Sequence, residues 1–170
     1  MLARNETIFK WLLYSAATAL CLAVQGTVLQ RICVWGVIPF VCPMLAAVSA
    51  TQERPTSGTI FSLALGVFCD LLLPAPIPCF YTLVFPFVGL FSSLLAQSFL
   101  QAGFLCSLVS TAIAFFLTDS FACFVLWSRG KAAWETGAFL ALREFCVTLP
   151  LAFPVTVLFQ AVYRRTHLDD

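Results

Sequence analysis

Apolar residues fill almost the whole chain in long segments, and short polar stretches separate one segment from the next. The segments do not alternate between polar and apolar residues, as the strands of a membrane barrel would. Most are long enough to cross a bilayer core of about 30 Å as a helix. The pattern therefore predicts six membrane-spanning helices. Their predicted bounds are 11–29, 37–51, 56–73, 79–97, 104–126 and 137–163.

Prolines mark the positions at which these segments should start, bend or interrupt a helix. In the short second segment, Pro39 suits the first turn of a helix, where its missing N–H costs no hydrogen bond, whereas Pro43 should bend the helix. Pro150 and Pro154 should interrupt the last segment in the same way. The loop 74–78 contains three prolines and should be stiff and uncharged.

The third segment carries the most ordered pattern in the chain. Gly58, Ser62, Gly66 and Asp70 recur every fourth residue, so they form one stripe along a helix. Small residues in such a stripe let a second helix approach closely, and an aspartate beside them is costly against lipid. The stripe therefore predicts a helix-packing face. It could meet a partner helix, or it could be used within the protein's own bundle.

Composition agrees with a membrane protein. Hydrophobic residues make up 61% of the chain and charged residues 10%, against roughly 45–50% and 25% in soluble domains. We therefore expect an all-α integral membrane protein, multi-pass in a cell membrane, with residues 1–170 forming one transmembrane domain. The net charge is +1 without a basic run, which gives no indication of nucleic-acid binding.

Residues suited to catalysis or metal binding are sparse. The eight cysteines are scattered singly without a CxxC pair, and the one histidine, His167, lies in the tail. A Ser/His/Asp set is therefore not expected, and the nucleotide-binding and HExxH motifs are missing from the sequence. We predict no catalytic residues, no metal site and no cofactor, and hence no enzyme activity.

Six spans would place both termini on one side, and the basic residues nearest the termini favour the cytoplasm. Asp70, Asp119, Arg143 and Glu144 would then share the outer layer of the membrane. One hypothesis is that Arg143 pairs with Asp70 or Asp119 and fixes the packing of spans three, five and six. The alternative is that residues 131–144 lie along the membrane surface, with Arg143 and Glu144 in water.

The order and spacing of several motifs resemble the rod shape-determining protein MreD family of bacterial cell-wall elongation. The similarity covers about residues 16–95. It includes the polar edge 25–27, Gly36 followed by Pro39, and a mid-span glycine at Gly89, besides the stripe that ends in Asp70-Leu71-Leu72. Two positions depart from the family pattern. Phe40 stands where an acidic residue is usual, and Pro78-Cys79 stands where a glycine is frequent.

The resemblance implies a non-enzymatic scaffold of the elongasome that takes part in peptidoglycan synthesis and the regulation of cell shape. Its implied partners are the bitopic protein MreC, the filament protein MreB, the polymerase RodA and a class B penicillin-binding protein. A partner helix would be bound by helix packing, with the stripe Gly58, Ser62, Gly66 and Asp70 as the candidate face.

A different class of protein also fits six spans with polar residues in the outer layer. The substrate-binding subunit of an energy-coupling-factor vitamin transporter needs a solute pocket that opens outward. In this chain the pocket would be lined by groups such as Asp70, Asp119, Arg143, Trp127 and Trp134.

Overall fold

The structure is a computed structural model that describes residues 2–98, 103–130 and 134–166; the side chains of residues 2–7, 134 and 166 are not described. The predicted connection at 99–102, the loop residues 131–133 and the tail with His167 lie outside the described residues. Within the described ranges the regular structure is helical, apart from one isolated bridge between Val34 and Val37. The prediction of an all-α membrane bundle is confirmed.

In the described ranges, seven α-helices and two short 3-10 turns form the bundle. Five segments are long and apolar enough to cross a membrane: 8–31, 55–72, 80–98, 104–128 and 135–165. The last of these consists of two helices joined by a 3-10 turn at Leu149–Leu151, where Pro150 was predicted to interrupt it. The helices are α1 Leu2–Thr27, α2 Cys42–Thr51, α3 Pro55–Leu72, α4 Phe80–Ser98, α5 Phe104–Ser128, α6 Trp134–Thr148 and α7 Ala152–Thr166.

The second predicted span is a helix over only part of its length. α2 has 10 residues, about 15 Å at 1.5 Å per residue, and residues 37–41 before it are not helical. The physical reason is Pro43, which has no N–H to donate to the carbonyl of Pro39 and therefore blocks extension of the helix towards its N-terminus. Pro43 lies in the first turn of α2, so it starts this helix and does not bend it.

The non-helical stretch and α2 together still carry the chain across the bundle. Lys10 Nζ lies 2.7 Å from Glu53 Oε1, which places the end of α2 beside the early part of α1. We call this end of the bundle the terminal face, because α1 begins and α7 ends there. The other end, the distal face, carries the turn at Trp35-Gly36 and the loop 74–78.

The short helix α2 lies at the centre of the bundle. Every one of its residues is buried, and it packs against α3, α4, α5 and α7. Around it the largest buried side chains come from four different helices: Tyr14, Phe85, Phe115 and Phe159. A ten-residue helix is therefore the common packing partner of helices from three longer membrane-crossing segments and of α7, the second half of the last one.

The stripe on α3 is occupied by the protein's own helices. A Cβ at Gly66 would lie 2.6 Å from the Tyr81 carbonyl oxygen, and one at Gly58 would lie 3.1 Å from Ala50 Cα. Ser62 fits against Gly89 of α4. The stripe is therefore not left open to a partner helix, since its small residues allow α2 and α4 to approach α3.

We predict that Gly66→Ala destabilises the protein by about 1–3 kcal/mol, because the added methyl group meets backbone atoms that cannot move away. The measurement is thermal unfolding of the purified protein in detergent. Gly26→Ala is the matched control, since a Cβ at Gly26 has no atom within 4 Å. Equal unfolding temperatures for the two variants would contradict the tight α3–α4 contact.

Candidate functional site

Asp70 binds the first turn of α4. Its Oδ1 accepts from the Tyr81 N–H at 3.0 Å, and its Oδ2 accepts from the Thr82 N–H at 2.7 Å and from the Thr82 hydroxyl at 2.6 Å. These N–H groups have no partner within their own helix, and a negative charge at a helix N-terminus is favourable. Asp70 is therefore a capping residue supplied by the neighbouring helix.

The residue before α4 explains why this helix is capped by a side chain of α3 and not by its own preceding residue. Cys79 has a φ of 59°, a left-handed conformation that favours glycine, and its thiol is a poor capping group. The resembled family frequently has a glycine at the start of this span, where this chain has Pro78 and Cys79. The turn before α4 thus has a glycine-type backbone conformation at a cysteine.

Two side chains hold the non-helical stretch before α2. The Gln25 amide donates to the Pro39 carbonyl at 2.9 Å and accepts from the Val41 N–H at 3.0 Å. Thr148 Oγ1 accepts from the Phe40 N–H at 3.1 Å. Backbone groups at membrane depth need such partners, because lipid offers none. Side chains of α1 and α6 therefore replace the hydrogen bonds that a continuous helix would make.

Arg143 contacts a different part of the chain from the one hypothesised. Its guanidinium donates to the Trp35 carbonyl at 3.3 Å and lies 4.4 Å from the centre of the Phe139 ring. The ion pair found in the described part of the chain joins Lys10 and Glu53. The Asp70 carboxylate instead accepts hydrogen bonds from the first turn of α4. Arg143 thus stabilises the turn at Trp35-Gly36 by this hydrogen bond and is not paired with Asp70 or Asp119.

The segment that contains Arg143 and Glu144 packs as a helix against α5. Phe145 contacts Phe115 with ring centres 5.7 Å apart, and a Cβ at Gly137 would lie 2.7 Å from the Cys123 sulfur. The described part of 131–144 therefore belongs to the bundle and does not lie apart from it on the surface.

Asp119 and Glu144 both line a cavity of about 430 Å³ at the distal face, which we call the distal cavity. They belong to α5 and α6, which pack against each other. Three parts of the chain enclose them: the non-helical stretch before α2, the proline loop, and the start of α4. The lining residues are Gln25, Gln30, Ile38, Pro39, Phe40, Leu73, Pro74, Pro76, Phe80, Tyr81, Thr118, Asp119, Ala122 and Glu144.

The cavity wall combines acidic groups with aromatic rings. The described lining contains two carboxylates and no Lys or Arg; Arg129 bonds the Pro76 carbonyl at the rim at 3.0 Å. The Tyr81 side chain is 8% exposed, and its ring contacts those of Phe40 at 5.7 Å and Phe80 at 5.2 Å between centres. Such a wall can bind a polar or cationic group together with an apolar one.

Of the four ionisable residues predicted to cluster, the structure brings only Asp119 and Glu144 into the cavity. Sequence reasoning noted Gln25 as part of a polar edge but gave it no role, and it missed the role of Tyr81 in the cavity. The four-residue spacing pointed to Asp70 but could not reveal that its partners are two backbone N–H groups and one hydroxyl of the first turn of α4. No pattern in the sequence assigns Tyr81 and Glu144 to one cavity, because their shared place in its lining depends on how α4 and α6 are positioned in the bundle.

Within the described residues, no group of three or more His, Cys, Asp or Glu side chains is arranged to hold a metal ion. The eight cysteines are free thiols. Comparisons of the chain with protein-family models, with curated proteins and with solved structures found no match.

We predict that Gln25→Leu destabilises the protein by about 2–4 kcal/mol, because the buried Pro39 carbonyl and Val41 N–H each lose their partner. Gln30→Leu makes the same chemical change at an exposed position and should shift the unfolding temperature little. A Gln25→Leu variant as stable as Gln30→Leu would show that the stretch does not depend on this side chain.

We expect Asp70→Ala to cost about 1–2 kcal/mol of stability, as loss of a helix cap does. Asp70→Asn should cost less, because its amide oxygen still accepts one backbone N–H. Chemical or thermal unfolding of the three proteins in the same detergent tests the order. If Asp70→Asn were the less stable of the two variants, capping would not be the role of this residue.

Proposed function

We propose that this protein is a non-enzymatic membrane scaffold subunit of the bacterial cell-wall elongation complex. The proposal is supported by the sequence resemblance to the MreD family and by one observation on the residues that carry it. Gly58, Ser62 and Gly66 are the contact surface of α3, and Asp70 caps α4. The motif on which the resemblance depends thus has a coherent structural task in this chain.

A scaffold of this shape would meet its partners within the bilayer or at its surfaces, because the described connections between helices are short. We propose that both termini are cytoplasmic, so that the terminal face lies on the side of the MreB filament and the distal face on the outer side. An MreC-like protein, RodA and a class B penicillin-binding protein would then bind from within the membrane.

Since the α3 stripe is internal, a partner helix would bind another face. A groove of about 490 Å³ lies between α1 and α3, with the small residues Ser15, Ala19 and Ala64 in its wall and the larger Trp11 and Phe68 beside them. Small side chains allow close approach of a second helix in a membrane. We propose this groove as the contact for the single transmembrane helix of an MreC-like protein.

The first experiment is purification of the tagged protein from its own host in mild detergent, with mass spectrometry of the co-eluting proteins. We expect an MreC-like protein and a class B penicillin-binding protein. A photo-crosslinking residue at Ala64, in the groove, should capture the MreC-like protein. The same residue at Leu105, exposed on α5, is the control and should not capture it.

Two outcomes would overturn the scaffold proposal. One is co-purification of paired ATPases with no elongation protein. The other is depletion of the protein without rounding of rod-shaped cells. Equal crosslinking at Ala64 and Leu105 would overturn the assignment of the groove while leaving the scaffold role to be judged by the co-purified proteins.

The substrate-binding subunit of a vitamin transporter is a second candidate, and the distal cavity is the observation that favours it. Among the expected pocket residues whose side chains the structure describes, only Asp119 lines the cavity. Asp70 caps α4, Arg143 holds the Trp35 turn, and Trp127 is not part of the lining; the Trp134 side chain lies outside what the structure describes. Paired ATPases in the purification would support this candidate.

A further inference from the structure

The distal cavity is a built site that neither the scaffold proposal nor its partners use. Its volume of about 430 Å³ lies within the range of small-molecule pockets. The cavity exists because the second crossing is not helical: Ile38, Pro39 and Phe40 form one wall of it. Gln25 and Thr148 fix that wall by hydrogen bonds to its backbone.

The charges of the cavity favour a cation. Asp119 and Glu144 come from facing helices, and neither forms an ion pair in the described part of the chain. Two carboxylates that line one partly desolvated cavity repel each other, and a bound positive charge removes this cost. At the rim, the guanidinium of Arg129 donates to the Pro76 carbonyl.

A third polar group independently points to a ligand. The Tyr81 side chain is more than nine-tenths buried and lines the cavity. Its backbone N–H binds Asp70, but its hydroxyl has no hydrogen-bond partner in the described chain. The hydroxyl oxygen is not among the fully buried unpartnered atoms of the described chain, so it is accessible to a ligand or water in the cavity.

The apolar and aromatic residues of the lining indicate which kind of cation fits the cavity. A bare metal ion requires several oxygen ligands in a fixed geometry, and much of this lining is apolar. The rings of Phe40, Phe80 and Tyr81 are in mutual contact, and aromatic faces attract organic ammonium groups. Carboxylates on one side and aromatic rings on the other suit an ammonium group that carries hydrocarbon.

We propose that the distal cavity binds a small organic ammonium ion. Its charged nitrogen lies between Asp119 and Glu144, and its hydrocarbon part lies against Phe40, Phe80 and Tyr81. The inference rests on the cavity and not on the scaffold role. It would name the ligand class if the transporter candidate held, and it would define a ligand site on the scaffold otherwise.

The test uses the wild-type protein in lipid nanodiscs and three probes of similar shape: cyclohexylammonium, cyclohexanol and cyclohexanecarboxylate. Calorimetric titration and the shift in unfolding temperature report binding, with sodium chloride added to equal ionic strength. We expect cyclohexylammonium to bind at least about tenfold more tightly than the neutral or the anionic probe, which corresponds to about 1.4 kcal/mol. Because this series needs no variant, it does not depend on how well variants fold.

Variants then locate the site. Asp119→Asn combined with Glu144→Gln should weaken cyclohexylammonium binding at least about tenfold, and Phe40→Leu should weaken it severalfold. Glu135→Gln is the matched control, because Glu135 is on the same helix as Glu144 but is exposed and outside the lining. Size-exclusion chromatography checks that each variant is folded.

Three results would overturn the proposal: equal affinity for the three probes, no binding of cyclohexylammonium up to about 50 mM, or equal loss of affinity in Glu135→Gln. None of them bears on the co-purification of elongation proteins. Conversely, failure to recover those proteins leaves ammonium binding to be judged by its own titration.

Discussion

The bundle depends on satisfying the backbone of a crossing that is not a continuous helix. Every N–H and C=O group that leaves water needs a partner, and lipid cannot supply one. Pro43 has no N–H to donate to the Pro39 carbonyl. The Gln25 side-chain amide donates to that carbonyl instead and accepts a hydrogen bond from the Val41 N–H. These hydrogen bonds connect α1 to the second crossing. Thr148 connects α6 to it by accepting a hydrogen bond from the Phe40 N–H. Three separate parts of the sequence are thereby fixed around one break.

The shortness of α2 determines how the other helices pack. A ten-residue helix can be buried on all sides only if its neighbours come close, and α3 meets this demand with Gly58 against Ala50. Gly66 and Gly89 do the same between α3 and α4. Asp70 completes the contact by holding the first turn of α4, so close approach and capping act on the same pair of helices. Loss of either would loosen the wall of the distal cavity, since Tyr81 belongs to that turn.

Much of the fold could be predicted from hydrophobic pattern, because long apolar segments admit few structures in a membrane. The break at Pro150 followed from the chemistry of proline. The second crossing was misjudged because Pro39 and Pro43 are both compatible with a first helical turn, and the choice between them depends on Gln25, fourteen residues before Pro39. In the candidate site, the shared depth of Asp119 and Glu144 could be predicted from span order. The partners of Asp70 and Arg143 could not, since both bind backbone groups, which no side-chain pattern reveals.

The break and the cavity have one cause, which bears on the relation between the two proposals. A straight second helix would place side chains where the distal cavity lies, and the carboxylates of α5 and α6 would then face packed protein. The stretch before α2 is not helical, and its residues Pro39 and Phe40 line the same cavity as Asp119 and Glu144. The groove between α1 and α3 lies elsewhere on the bundle, and its lining shares no residue with that of the distal cavity. A partner helix and a small cation could therefore bind at the same time. Coupling between them would have to pass through α1, which carries Ser15 and Ala19 in the groove and Gln25 at the break.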